Sequence, residues 1–237
     1  MRLWGETSQE TMPKAEEYQK KEHQLHPEII TQNQEISPGV FLISYQQKQD
    51  FIPGQVVKIT LDPEIPPRIY SICSGNHEQE VRILFNIKED GYLTPKLAAS
   101  IPGDKIWVSQ PYGSFLGTDK PAWWIATGTG IAPFYSMFQS GQFENKTLVH
   151  GARHLNQFYF EDDLDWSLGK NYIRCCSQEQ SCDVFPGRVT DYLQTQNDLP
   201  KDQQYYLCGK ALMVVEVRDL LIEKGVPYEN IIAEIYF

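Results

Sequence analysis

Two different rhythms of hydrophobic and polar residues follow one another along the chain. Between residues 28 and 115, short runs rich in β-branched and aromatic residues are separated by turn-forming stretches such as IPG, PEIPP and EDG. Many short strands with regular turn signals predict an antiparallel barrel or sandwich. The runs that indicate strands are GVFLISYQ, GQVVKITL, RIYSICSG, VRILFNIK and DKIWVSQ.

From about residue 121 the strand candidates alternate with helical stretches, which predicts a parallel sheet covered by helices on both faces. The strand candidates are AWWIATG, TLVHGA, NYIRCCS, QYYLCG and IIAEIYF, and the longest helical stretch is KALMVVEVRDLLIEKG. The predicted fold class is β + α/β, an antiparallel β-barrel domain followed by a doubly wound parallel-sheet domain. We assign residues 1–27 to a polar extension, 28–117 to the barrel and 118–237 to the parallel sheet.

The longest predicted helix has its apolar residues on one side. At helical spacing, Ala211, Val214, Val215, Val217 and Leu221 are separated by charged residues. This pattern predicts that these five side chains pack against the sheet. Gly225 and Pro227 then end the helix.

Composition narrows the classes of protein and of site. The net charge of −10 argues against a generic nucleic-acid binder, which needs a basic surface. The five cysteines are odd in number and no pair is spaced C-x-x-C, so we expect no disulfide scaffold, zinc site or iron–sulfur cluster. No apolar stretch reaches the length of a membrane span or a signal peptide, and we expect no membrane span and a cytoplasmic location.

The first candidate motif is WWIATGTGIAPFYSM, in which a hydrophobic strand leads into Gly128, Thr129 and Gly130. A helix is predicted to start at Pro133, where the missing N–H of proline has no cost. Glycines allow close approach of a phosphate, and the helix N-terminus offers free N–H groups. The alternative is a glycine turn after a core strand.

The second motif is RIYS. Strand alternation predicts that Arg68 and Tyr70 share one face while Ile69 and Ser71 share the other. A local twist would be needed for Arg68, Tyr70 and Ser71 to meet one ligand. The alternative is an ordinary edge strand with a surface arginine and tyrosine.

The third motif is NIKEDGYLTPKLAASIPGD. It predicts a short helix over residues 95–99 with Thr94 as its N-cap, preceded by Gly91. Free amides at such a helix end can hold a pyrophosphate. The alternative is a capped surface helix.

In this order and at these distances, the three motifs resemble the ferredoxin–NADP⁺ reductase family of flavoproteins. The family pattern R-x-Y-S is matched by residues 68–71, G-T-G-x-A-P by residues 128–133, and C-G before a Met-Val helix by Cys208-Gly209. DGYLTPKLAASIPGD and the ending AEIYF look most like the bacterial members, in which FAD is bent. The resemblance covers residues 28–237.

The resemblance implies FAD in the barrel domain. Tyr70 would pack on the flavin ring, Ser71 would lie near flavin N5, and Arg68 would bind the pyrophosphate. Tyr236 would cover the opposite flavin face as a gate and Phe237 would stack on the adenine, whereas the alternative is a last core strand with an aromatic plug. Backbone contacts from Ile87 and Lys88 would border the flavin, and Gly91, Leu93 and Thr94 would cradle the pyrophosphate.

The resemblance also implies a nicotinamide nucleotide in the second domain. Gly128, Thr129 and Gly130 would bind it, and Cys208 would face the nicotinamide, with a buried structural thiol as the alternative. Ser71, Cys208 and Glu234 are the residues expected to align nicotinamide with flavin.

The nucleotide preference depends on the stretch Ser177-Gln178-Glu179. Family members that use NADPH often have S-R-E here, so the arginine that would pair with the 2′-phosphate is missing. Arg153 and Arg188 match positions that contact this phosphate in similar bacterial enzymes. We therefore expect NADP(H), with NAD(H) as the alternative.

The implied activity is electron exchange between NADP(H) and a one-electron carrier, ferredoxin or flavodoxin, by hydride transfer between nicotinamide and flavin N5. We expect a monomer. The alternatives are an electron-transfer flavoprotein subunit of a larger redox complex, and an NADH-dependent flavin reductase.

Overall fold

The first lobe of the protein is a six-stranded antiparallel barrel. The computed structural model describes residues 24–236. The strands lie in the order β4-β3-β6-β1-β2-β5, and a bridge between Ile72, just after β4, and Ile83 of β5 joins the two ends of this order. The barrel is therefore closed. Its strands are β1 (Leu25–Ser37), β2 (Val40–Gln46), β3 (Val56–Thr60), β4 (Arg68–Ser71), β5 (Glu80–Asn86) and β6 (Lys105–Ser109).

Inward-facing β-branched residues fill the barrel, as the strand patterns predict. Ile43, Ile59, Ile83 and Ile106 are completely buried in one hydrophobic cluster. A short helix, α1 (Leu93–Ala98), covers one side of the barrel and buries Leu97 in the same cluster. Burial of these apolar side chains stabilises the lobe by the hydrophobic effect.

Strand β1 was not among the predicted strands, and it begins at Leu25, inside the predicted extension. Its sequence LHPEIITQNQEIS is largely polar, yet it pairs with both β2 and β6. The polar residue Asn33 explains part of this pattern, because its Nδ2 donates to the carbonyl of Ser100 at 2.6 Å and to that of Leu97 at 3.1 Å. It thereby satisfies carbonyl groups at the C-terminal end of α1.

The second lobe is a parallel sheet in the order β10-β9-β8-β7-β11-β12. Helices α2 and α3 pack on one face, and helices α4 and α5 pack on the other. The chain changes face between β7 and β11, which is the position where open α/β sheets bind ligands. The strands are β7 (Ala122–Thr127), β8 (Lys146–Ala152), β9 (Tyr172–Cys176), β10 (Phe185–Pro186), β11 (Gln204–Lys210) and β12 (Ile231–Tyr236). The helices are α2 (Ala132–Gln139), α3 (Glu161–Leu168), α4 (Val189–Thr195) and α5 (Ala211–Glu223).

The apolar face predicted for the longest helix is correct for its central residues. Val214, Val217 and Leu221 of α5 are buried against the sheet. The prediction is wrong for Val215, which is 37% exposed because it lies on the flank of the helix that faces away from the sheet. None of the helices between residues 24 and 236 combines the length and the apolar character that crossing a bilayer requires.

Candidate active site

A chain of hydrogen bonds links the two lobes where β4 meets β12. The Tyr236 hydroxyl donates to Ser71 Oγ at 2.6 Å, and Ser71 Oγ donates to Glu234 Oε1 at 3.1 Å. Strand alternation places Glu234 and Tyr236 on the same side of β12. Three of the four residues predicted to act in catalysis are thus brought together, although 163 and 165 positions separate Ser71 from its two partners.

Cys208, the fourth predicted residue, lies beside this chain. It is fully buried on β11, and the parallel register sets it opposite Glu234. Burial, with the nearby Glu234 carboxylate, raises the pKa of the Cys208 thiol well above its ordinary value. The thiol is therefore protonated at neutral pH and does not act as a nucleophile.

The Glu234 carboxyl group is only half satisfied. Its Oε1 accepts from Ser71, whereas the buried Oε2 has no hydrogen-bond partner in the part of the chain that the structure describes. Burial raises the pKa of Glu234 to about 7, although the hydrogen bond from Ser71 opposes this shift. Near neutral pH the group can therefore be charged or neutral, and it has one oxygen free for a ligand.

Burial also raises the pKa of the Tyr236 phenol well above its ordinary value, and the neighbouring Cys208 and Glu234 add to this effect. Tyr236 therefore remains a neutral hydrogen-bond donor. The residue expected to stack on adenine, Phe237, lies outside the described residues.

The glycine motif after β7 forms a single tight turn. Residues Gly128–Ile131 are a 3₁₀ turn, and α2 follows at Ala132, one residue before the predicted start, with Pro133 in its first turn. Gly128 has a φ of +56°, and a Cβ on Gly130 would overlap the carbonyl oxygen of Cys208. Gly130 is therefore required for close packing of this turn on β11.

Sequence reasoning did not identify Thr127, the last residue of β7. Its Oγ1 is buried and lacks a hydrogen-bond partner among residues 24–236. It lies against Gly209, where an added Cβ would overlap it. Thr127 and Glu234 thus place two unsatisfied polar atoms on the strands that flank β11.

On the barrel side, β4 presents the predicted cofactor residues at its edge. Arg68 is exposed, and Tyr70 is half-buried with its ring edge-on to Phe85 at 6.2 Å between centroids. Ser71 is buried at the end of the strand, next to the second lobe. Arg68, Tyr70 and Ser71 thus lie on one short strand, with only Arg68 fully exposed to solvent.

The loop after β5 begins at Ile87 and leads into α1 at Leu93. Thr94 is not the N-cap of α1, because the helix starts at Leu93 with Tyr92 at the cap position. Instead, Thr94 Oγ1 accepts the Lys88 N–H at 2.8 Å, and the Gly91 N–H donates to the Lys88 carbonyl at 2.8 Å. The threonine hydroxyl therefore closes the loop rather than capping the helix.

The residues predicted to contact the 2′-phosphate of the nucleotide lie at the carboxyl ends of β8, β9 and β10. Ser177 N–H donates to the Ala152 carbonyl, and Gln178 N–H donates to the carbonyl of Arg153. The exposed Arg188 follows β10, and its guanidinium lies 3.5 Å from Glu216. An exposed ion pair of this kind contributes little, so Arg188 is available to another anion.

Comparison with known proteins agrees with this architecture. Residues 124–219 match the family model described as "Oxidoreductase NAD-binding domain". The solved structure of a ferredoxin NADP⁺ reductase from Neisseria gonorrhoeae, with bound FAD and NADP, superposes with a TM-score of 0.81 at 19% identity. The match covers 90% of this chain and 99% of that one.

Two curated relatives are similar in sequence. The probable dihydroorotate dehydrogenase B (NAD(+)), electron transfer subunit, of Pyrococcus abyssi is 27% identical over 81% of this chain and 73% of its own length. The flavodoxin/ferredoxin–NADP reductase of Escherichia coli is 32% identical over 69% of this chain and 76% of its own length. With this identity, this coverage and the two-lobe fold, the chain belongs to the ferredoxin–NADP reductase family.

Proposed function

We propose that this protein is an FAD-dependent oxidoreductase that exchanges electrons between NADP(H) and ferredoxin or flavodoxin. The observation that carries the proposal is the hydrogen-bonded chain from Tyr236 through Ser71 to Glu234, which joins the barrel to the parallel sheet. The name of the Escherichia coli relative, flavodoxin/ferredoxin–NADP reductase, supports the choice of carrier.

The barrel residues fit a flavin dinucleotide. The aromatic face of Tyr70 suits an isoalloxazine ring, and the exposed guanidinium of Arg68 can bind a pyrophosphate through paired hydrogen bonds. No side chain of residues 24–236 caps α1, which leaves the amides of Leu93 and Thr94 available to phosphate oxygens. We assign residues 28–117 to FAD binding, with the backbone of Ile87, Lys88 and Gly91 bordering the cofactor.

The unsatisfied polar atoms at the parallel sheet fit a nicotinamide nucleotide. Glu234 Oε2 needs a donor, which a carboxamide NH₂ supplies, and Thr127 Oγ1 can accept or donate. We assign residues 118–237 to nucleotide binding, with Gly128, Thr129 and Gly130 at the pyrophosphate.

For the adenosine end of the nucleotide, we assign Arg153, Ser177 and Arg188 to the 2′-phosphate. Two exposed arginines at the carboxyl ends of β8 and β10 provide the positive charge that Gln178 lacks. Charge-assisted hydrogen bonds to phosphate are about twice as strong as neutral ones. This favours NADPH over NADH.

FAD held by Arg68, Tyr70 and the loop from Ile87 to Thr94 would supply a hydride acceptor that can also pass electrons singly to a carrier. The chain's own residues set the geometry of this exchange. Ser71 Oγ receives a hydrogen bond from Tyr236 and donates one to Glu234, so it is held in one orientation. The Glu234 carboxyl group, with its pKa of about 7, can hold or release a proton near neutral pH. As the family resemblance implies, the Tyr236 ring would cover the flavin and would move before nicotinamide enters.

The test is an anaerobic stopped-flow comparison of flavin bleaching by NADPH and by NADH in the purified, FAD-loaded protein. We expect rapid bleaching by both nucleotides at saturation and a lower dissociation constant for NADPH. Failure of both nucleotides to bleach the flavin would rule out the enzyme. A lower dissociation constant for NADH would overturn the assignment of Arg153 and Arg188.

A second candidate is an electron-transfer subunit of a larger redox complex. It is favoured by the Pyrococcus abyssi relative, whose name describes an electron transfer subunit and which matches 81% of this chain. A purified protein that is monomeric on size exclusion and reduces ferredoxin without any other subunit would argue against it. Dialysis tests the third possibility, a flavin reductase that binds flavin loosely. Such a protein would lose its flavin and its yellow colour, whereas the proposed flavoenzyme would keep both.

A further inference from the structure

Helix α2 holds the segment that follows Ser71 by a buried hydrogen bond between the two lobes. The Ser136 hydroxyl, on α2, donates to the Ser74 carbonyl at 2.7 Å, and both residues are fully buried. One residue further on, a Cβ on Gly75 would come within 3.0 Å of the Gln139 carbonyl oxygen. The barrel segment therefore lies directly against the helix at this point.

A second hydroxyl extends this contact at the end of α2. The Asn76 N–H donates to Ser140 Oγ at 3.1 Å, and Ser140 Oγ in turn donates to the carbonyl of Ser136 at 2.7 Å. Of these two interlobe bonds, the one from Ser136 is shielded from solvent, whereas Ser140 and Asn76 are partly or fully exposed. A buried hydrogen bond is the more costly of the two to lose.

The backbone between Ser71 and Ser74 cannot absorb a displacement easily. Its amides are fixed to the barrel, because Ile72 N–H donates to the Gln55 carbonyl and Cys73 N–H donates to that of Arg82. Ser74 Oγ also accepts the Arg82 N–H at 3.1 Å. The segment from Ser71 to Ser74 is therefore a rigid part of the barrel, and the Ser136 bond fixes the position of this part relative to α2.

The opposite end of α2 begins at the nucleotide turn. Gly130, two residues before the first residue of α2, packs on the Cys208 carbonyl with no room for a Cβ. Helix α2 thus spans the distance between the carboxyl end of β11, beside Glu234, and the segment that carries Ser71. Its position sets the separation between the two halves of the active site.

We propose that Ser136 is a positioning residue that fixes Ser71 opposite Glu234 and Tyr236, an inference that rests on the proposed function. Ser136 acts through the Ser74 carbonyl, and it does not touch the reacting groups. Reaction rates are very sensitive to alignment, with a 1 Å misplacement costing about 100-fold. Loss of the Ser136 hydroxyl then lowers the rate without weakening nucleotide binding.

The test compares Ser136→Ala with Ser37→Ala in the full, FAD-loaded chain. Ser37 is a matched control, because its buried hydroxyl also donates across the lobes, to the Asn156 carbonyl at 3.1 Å, but from β1 and far along the chain from Ser71. We expect Ser136→Ala to lower the limiting rate of flavin bleaching about 10-fold, with an unchanged dissociation constant for NADPH. We expect a change below about 2-fold for Ser37→Ala. Equal effects of the two substitutions would overturn the proposal.

A double-mutant cycle shows whether Ser136 acts through Ser71. In a Ser71→Ala background, the further change Ser136→Ala should alter the limiting rate by less than about 2-fold, because the group that it positions has already been removed. A full and independent loss in that background would contradict the proposal.

Hydrogen exchange provides a readout that does not depend on activity. Amides of residues 72–76 should exchange faster in Ser136→Ala than in Ser37→Ala and in the wild type. Unchanged exchange in Ser136→Ala would overturn the proposal. If the wild-type flavin is not bleached by either nucleotide, the proposed function fails, while the exchange experiment still decides whether Ser136 holds this segment.

Discussion

At the scale of single residues, we propose that the side chains beyond β8 and β9 set the nucleotide preference. Gln178 follows Ser177, its N–H is bonded to the Arg153 carbonyl, and its side chain is exposed. The substitution Gln178→Arg adds a guanidinium beside Arg153. We expect the dissociation constant for NADPH to fall about 10-fold, because a charge-assisted hydrogen bond is worth about 1.5–3 kcal/mol. Stopped-flow titration of flavin bleaching measures this constant.

The matched control is Gln178→Met, which keeps a similar length without charge. It should leave NADPH affinity within about 2-fold of the wild type. NADH lacks the 2′-phosphate, so its affinity should not improve in Gln178→Arg. An equal gain for both nucleotides would mean that residue 178 does not face this phosphate.

The sequence motifs located the residues that meet at the site. Ser71, Cys208, Glu234 and Tyr236 could be named because the motifs carry them, and the structure brings them together. Their roles remain predictions. Thr127 could not be found, since an unsatisfied buried hydroxyl exists only after β7, β11 and β12 are assembled.

At the scale of elements, hydrophobic periodicity predicts the buried face of helix α5 correctly but not the edges of that face. Val217 is fully buried against the sheet, whereas Val215 is 37% exposed. We expect Val217→Ala to lower the free energy of unfolding by about 2 kcal/mol, because it removes two buried methyl groups and leaves a cavity. Val215→Ala is the control with the same chemical change, and we expect an effect below about 0.5 kcal/mol.

Urea denaturation of both variants at one pH measures these differences. Similar losses in the two variants would show that α5 does not present the Val217 face to the sheet. Periodicity predicted both valines as buried, because a 3.6-residue repeat leaves the flanks of the apolar stripe undecided.

The same limit explains the elements that were missed. Strand β1 is polar in its middle because Asn33 donates hydrogen bonds to carbonyl groups at the end of α1. This contact joins segments more than 60 residues apart. Thr94 was expected to cap α1 but closes the loop from Lys88. In both cases a side chain bonds to backbone outside its own element, which local patterns do not encode.

At the scale of the whole molecule, the buried His150 and the partly buried Glu234 give opposite pH dependences to stability. Burial, with the charge of Arg174, lowers the pKa of His150 to about 3, and its Nδ1 lies 3.0 Å from the Tyr172 hydroxyl. Between pH 3 and 6.5 the unfolded chain, with an ordinary histidine pKa of 6.5, binds a proton that the folded chain does not bind. His150 therefore lowers stability as pH falls from 6.5 towards 3.

Glu234 acts with the opposite sign. Its pKa is about 7 when folded and 4.5 ordinarily, so the folded chain binds a proton that the unfolded chain has lost. It lowers stability as pH rises from 4.5 to 7. Each group changes the free energy of unfolding by about 1.4 kcal/mol per pH unit, and the two changes cancel between pH 4.5 and 6.5.

We therefore expect the free energy of unfolding of the wild type to be constant between pH 4.5 and 6.5 and to fall steeply below pH 4.5. As pH rises, the variant Glu234→Gln should instead gain stability steadily up to pH 6.5. The variant His150→Gln should lose stability steadily from pH 4.5 to 7. Urea denaturation at pH 4, 5.5, 6.5 and 8 tests this. The test compares how the free energy of unfolding changes with pH, so a constant difference in stability between a variant and the wild type does not affect it. Parallel curves for the three proteins would contradict these assignments.

The bond between Ser71 and Tyr236 has a consequence for synthesis in the cell. The serine leaves the ribosome long before the tyrosine, since 165 positions separate them. At about 5–20 residues per second, the barrel waits on the order of 10 to 30 seconds for the strand that completes its active site. During that interval a nascent chain can fold its first lobe but lacks Glu234 and Tyr236, the residues proposed to align the nucleotide. On the proposed function, unfinished chains would therefore be unable to divert electrons, even with flavin already bound.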